Sequence, residues 1–206
     1  VGRDAEGKLT WSEGDQVAVV LKDDSGKMAL DTEVYTVNIE ENTALVPANA
    51  AYMFYPATLA SAVNSGNTAI DLPDTYTVAA PAEIFDYNPM IGKVSGKFTS
   101  FKNLMGYVAV PLTGTGSLKS VTVKSEIFNG FNPLSREASL SLNAATPAIM
   151  MAEDNTARAY VKVAFSTPVD LATSPVVYLP VPANTYNNMA LVVETDKGAT
   201  TIYAEN

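Results

Sequence analysis

The chain has 206 residues and 47% hydrophobic content, ample for one large β domain or two of ordinary size, and general disorder is excluded. Lys and Arg total 13 against 22 Asp and Glu, for a formal charge of -9 and a pI near 4.4. Such a surface repels phosphate backbones and anionic headgroups, which argues against nucleic-acid or membrane-surface binding. Cysteine and histidine are both absent, removing disulfides, thiolate sites, the commonest catalytic base and the commonest transition-metal ligand.

The opening VGRDAEGKLTW is too polar for a signal peptide and reads as the start of a mature or trimmed chain. No apolar run approaches the roughly 20 residues of a membrane helix. Val17, Val19 and Leu21 alternate with Ala18, Val20 and Lys22, which predicts a first strand, and Asp23-Asp24-Ser25-Gly26-Lys27 is its hairpin turn. Further strands are expected over Glu33–Ile39, Ala44–Val46, Tyr52–Tyr55 and Asp74–Ala79. Ala57–Val63 reads as briefly helical, too short to stand without tertiary support. Between Ala80 and Ser100, prolines and glycines break up scattered apolar residues, and a domain boundary is placed near the end of that stretch, giving domains 1–98 and 99–206.

The second half is the cleaner β text. Phe101–Lys124 predicts a hairpin, with Leu104, Val108, Val110 and Leu112 on one face, a turn at Thr113-Gly114-Thr115-Gly116-Ser117, and Val121 and Val123 resuming the pattern. Leu140 and Leu142 alternate with serines, and Val161, Val163 and Phe165 alternate with Tyr160, Lys162 and Ala164, as in antiparallel sandwich strands. Pro180 and Pro182 silence one side of Tyr178–Pro182, which places that strand at a sheet edge. Met189–Glu194 and Thr200–Ala204 form a last hairpin around Asp196-Lys197-Gly198.

Few side chains point to chemistry. Trp11 either stacks on a sugar or covers the end of the first sandwich beside Val17; Tyr55 either points outward to a ligand or partner, if Tyr52 and Phe54 face the core, or joins them in core or edge packing. Asp23, Asp24 and Ser25, and Glu153, Asp154 and Asn155, offer oxygens to Ca²⁺ but lack the spacing of a calcium loop, and solvated turns account for them. The Lys119-Ser120 and Lys124-Ser125 pairs do not differ from the polar face of a strand. No catalytic residue, metal or cofactor is expected, and the chain reads as a binding protein and not an enzyme.

Four segments carry a family resemblance. Leu9–Val19 (LTWSEGDQVAV), Ala50–Ala57 (AYMFYPA preceded by Ala50), Phe101–Val121 with its LTGTG core, and Leu179–Tyr186 (LPVPANTY, with Asn184 where glycine is usual) resemble the fimbrillin-like proteins of the Bacteroidales, the type V pilus subunits and related surface lipoproteins. The resemblance implies an all-β fold of two antiparallel β-sandwich domains, transthyretin-like and of Greek-key type. It also implies export to the outer membrane and cell surface, membrane attachment only through a lipid anchor outside this sequence, and a role as pilus subunit or adhesin. Partners would be other pilus subunits or further copies, joined by strand exchange, or surface glycans or proteins. The edges to watch are those of Val108, Val110 and Leu112, of Val181, and of Ile202. The alternative is a glycan-binding outer-membrane lipoprotein module, with Trp11, Tyr52 or Tyr55 on an exposed aromatic platform.

Overall fold

Period-two burial marks strands in both halves of the chain. Thr68, Ile70 and Leu72 are buried between exposed Asn67, Ala69 and Asp71, and Val161, Val163 and Phe165 are buried between half-buried Tyr160, Lys162 and Ala164. In a computed structural model describing residues 2–3, 9–125, 133–144, 146–152, 157–186 and 188–204, the result is an all-β protein. In chain order the first strands are β1 (Gly2–Arg3), β2 (Leu9–Thr10), β3 (Gln16–Lys22), β4 (Met28–Thr36), β5 (Ala50–Tyr55) and β6 (Ala60–Asn64). Next come β7 (Asn67–Leu72), β8 (Thr75–Val78), β9 (Met90–Ser95), β10 (Phe98–Asn103), β11 (Met105–Pro111) and β12 (Ser117–Ser125). The last are β13 (Arg136–Ser141), β14 (Ile149–Met151), β15 (Tyr160–Asp170), β16 (Val176–Pro182), β17 (Met189–Thr195) and β18 (Gly198–Tyr203). Two short 3-10 segments, Pro81–Tyr87 and Leu171–Thr173, are the helical elements among the described residues, and none is long and apolar enough to cross a membrane.

The strands fall into two compact units. The first takes Val1–Asp71, Phe85–Met105 and Ala138–Met150; the second takes Leu72–Ile84, Gly106–Glu137 and Met151–Asn206. The boundary expected between 98 and 99 therefore lies inside β10, within the 85–105 segment of the first unit. What interrupts the pattern between Ala80 and Ser100 is the 3-10 turn of Pro81–Tyr87, followed by a β9–β10 hairpin that turns at positive-φ Gly96.

In the first unit a five-stranded sheet, ordered β10-β9-β5-β3-β4, faces a four-stranded one, ordered β14-β13-β7-β6. Tyr52 ties the layers by donating its hydroxyl to the Leu142 carbonyl at 2.6 Å. The five-stranded sheet is covered on both faces, so β5 is buried from Tyr52 to Tyr55 and β3 from Val17 to Val20. On its other face, Val17, Val19, Val37, Met53, Tyr55 and Met90 form a core with Trp11 and Phe101 packed against it. Ala57–Val63 is not helical: from Ala60 it is β6, paired antiparallel with β7 through a Ser65-Gly66 turn in which both residues have positive φ. Pairing with a neighbouring strand overrides the weak local helix preference of ATLASAV.

The second unit packs a five-stranded sheet, ordered β18-β17-β12-β15-β8, against the two-stranded β11-β16. β8 runs parallel to β15, a departure from the wholly antiparallel arrangement expected. Phe101–Lys124 also differs from its expected form. Its strands exist as β10, β11 and β12, but β11 and β12 are not a hairpin: β11 pairs with β16, and β12 lies between β15 and β17. The turn carries the chain from one layer to the other. Gly116, at φ +109, gives its carbonyl to Leu171 N, and a Cβ there would run into the Asp196 carboxylate that accepts from Ser117 N. Lys197 clamps the same loop by donating to the Thr115 carbonyl and hydroxyl.

Before β8, Asp74 Oδ2 meets Arg136 Nη2 at 2.7 Å and Nε at 2.8 Å, while its carbonyl accepts from Lys162 N. Burial pushes the Asp74 carboxyl up, but hydrogen bonds from Arg136 and Thr75 and the guanidinium charge outweigh it and leave it below its ordinary value. A carboxylate with a lowered folded pKa stabilises the protein above the unfolded value, and that stabilisation is lost as pH falls through the folded one. Asp74→Asn is therefore expected to cost about 1 kcal/mol at neutral pH, discounted for the exposed guanidinium. It should cost progressively less below the carboxylate range of roughly pH 4. Melting temperatures of both proteins from neutral to acid pH check this, and parallel curves would contradict it.

Candidate functional site

The candidate site is main chain, and its geometry follows from which sheet edges are open. β16 has β11 as its partner among the described residues, as a strand carrying Pro180 and Pro182 must. Both prolines and Val181 are buried, Val110 of β11 is buried, and Val108 and Leu112 are half-buried. Leu112 N extends this ladder by donating to the Pro175 carbonyl at 2.9 Å. Pro111, Pro180 and Pro182 thus leave β11 and β16 poor templates for another strand. β4 is interrupted by a register shift in its pairing with β3 and carries Asp31 and Glu33.

β18 has none of these guards. Its sequence, GATTIY, contains no proline and no charge, it pairs in unbroken register with β17, and all six residues are exposed. Ile202 is 51% and Tyr203 61% exposed. Ala204 N donates to the Met189 carbonyl at 2.8 Å, so by antiparallel alternation the main-chain groups of Ala199, Thr201 and Tyr203 face the open side. Among the described residues nothing pairs with that side. Of the strand-exchange positions expected from sequence, Ile202 lies on an open edge, whereas Val108, Val110, Leu112 and Val181 lie in the β11–β16 pair.

The aromatic residues do not form a platform. Tyr52 is 8% and Tyr55 5% exposed, on opposite faces of β5. Tyr55 donates to Asp15 Oδ1 at 2.9 Å and to the Asp86 carbonyl at 3.0 Å; burial, then the Asp15 carboxylate, push its phenol pKa far up. Half-buried Trp11 meets Tyr55 and Phe101 edge to face, with centroids 5.4 and 5.0 Å apart. Of the two readings of Tyr55, the covering of both sheet faces gives core packing and not an outward ring.

The polar candidates serve the fold. Asp23 Oδ1 accepts from Ser25 Oγ at 2.7 Å and Lys27 N at 2.9 Å, closing its own hairpin turn. Glu153, Asp154 and Asn155 lie outside the described residues, and among those described no cluster of three or more acidic residues could hold a metal. Lys119 sits at a register shift in β12, and Ser120 Oγ donates to Glu194 Oε2 at 3.0 Å. That hydroxyl and the Lys162 charge hold Glu194 below the usual carboxylate range. Sequence reading missed this Ser120–Glu194–Lys162 group because its members meet only through the β12–β17 and β12–β15 pairings. No protein-family model matches the chain, and no curated protein matches it.

Proposed function

We propose that this is a fimbrillin-like surface protein, a pilus subunit or adhesin that works by pairing main-chain edges and not by catalysis. The observation that carries the reading is the unguarded outer edge of β18. It is a six-residue uncharged strand with outward main-chain groups at Ala199, Thr201 and Tyr203, the form of edge that natural proteins otherwise blunt. An incoming strand would gain ladder hydrogen bonds there and cover Ile202 and Tyr203. On this reading the protein is exported to the cell surface, and its partners are like subunits or surface molecules.

The test uses proline as a one-sided block. Thr201 N points away from β17, so Thr201→Pro removes an outward donor while leaving the β17 ladder intact. Purified protein incubated at high concentration, with its precursor's processed forms, should give assemblies that survive SDS and disappear in Thr201→Pro at unchanged melting temperature. Wild-type protein that stays monomeric under every processing condition, or assemblies indifferent to the proline, would reject the reading.

A further inference from the structure

We propose that the first unit carries a binding cleft for an acidic saccharide, independent of the β18 edge. At the β9–β10 end of the five-stranded sheet lies a cavity of about 700 Å³, within the roughly 300–1,000 Å³ range of small-molecule sites. Strand register builds its positive wall. Lys93 stands opposite Tyr52 on one side and Ser100 on the other, and Lys102 stands opposite Ile91, so these residues share one face of the sheet. Lys22 arrives from the end of β3, held by main-chain pairing of its N–H with the Asn49 carbonyl.

Three lysines therefore line one cleft of a chain with net charge -9, and among the described residues Asp23 brings the one carboxylate of the lining. Among the described residues none of the three ammonium groups has an ion pair or hydrogen bond, whereas Asp23 is engaged by its own turn. Clustered cations without counter-charges repel one another, and an anion relieves that repulsion. The rest of the lining narrows the ligand. Asn49, Ser100 and Asn143 offer neutral donors and acceptors suited to hydroxyl groups, and Ile91, Leu142 and Pro147 give an apolar floor for C–H faces. Among the described residues no arginine lines the cleft to fork onto a phosphate. Carboxylate, several hydroxyls and an apolar ring face together describe a uronic-acid-type sugar.

The experiment titrates the full chain with trigalacturonate, its uncharged methyl ester and triglutamate, each at low and high salt. Trigalacturonate should bind, weaken with added salt, and outcompete the ester and the peptide by about tenfold or more, the scale of one charge-assisted hydrogen bond. Lys93→Gln with Lys102→Gln should weaken it by about a hundredfold at unchanged melting temperature, since two such contacts are lost. Lys119→Gln, on β12, should leave binding unaltered. Absence of trigalacturonate binding, equal binding of ester or triglutamate, or a double variant that binds like the parent would each overturn the assignment.

Discussion

Phe54→Ala is expected to destabilise the first unit by about 4 kcal/mol, with Phe54→Leu costing about 1–2 kcal/mol. Phe54 is fully buried near the end of β5, and its cross-strand neighbours are Ala18 on β3 and Ile91 on β9. A large ring beside an alanine fills space that the alanine cannot, so truncation leaves a cavity whose walls are held apart by two ladders. Trp11, the sole tryptophan, packs in the same unit on the opposite face of the sheet, so its fluorescence follows that unit's unfolding in urea. An unchanged midpoint would mean that the two layers do not close over β5 as described.

Trp11→Ala is expected to cost about 3 kcal/mol, and Trp11→Phe about half of that. Two edge-to-face partners, Tyr55 and Phe101, lose their contact, each such pair being worth about 0.5–1.5 kcal/mol beyond the apolar area removed. The Val17, Val19 and Met53 face beneath is opened to water as well. With the tryptophan gone, circular dichroism replaces fluorescence as the readout. A variant as stable as the parent would return Trp11 to the ligand-stacking role weighed from sequence.

Much of the fold is legible in the sequence because burial in one-sided strands has a period of two, and the run over Tyr160–Phe165 states it openly. Edge position is legible where chemistry forbids a neighbour, as at Pro180 and Pro182. Strand partners are another matter. Alternation from Leu104 to Val123 predicts two strands and a turn, and nothing local says that the second joins β15 and β17 while the first joins β16. Tyr55 shows the same limit from the other side: parity gives it a face, but only the covering of that face by Trp11, Val37 and Met90 makes it buried. The lysine cleft was invisible for this reason, since Lys22, Lys93 and Lys102 belong to three strands brought together by the order β10-β9-β5-β3. Among local signals, Ser65-Gly66 and Gly96-Lys97 were available to mark the β6–β7 and β9–β10 hairpins.

The interleaving of the two units sets a timetable for biosynthesis. The first unit draws its last segment, Ala138–Met150, from far down a chain of 206 residues, and the second begins with Leu72–Ile84. A nascent chain leaving the ribosome cannot finish the earlier unit until residue 150 has emerged, so that unit waits while the 106–137 segment of the other is made. Through that interval the half-built sheets stay open to wrong partners, and a holding chaperone has its longest opportunity to act.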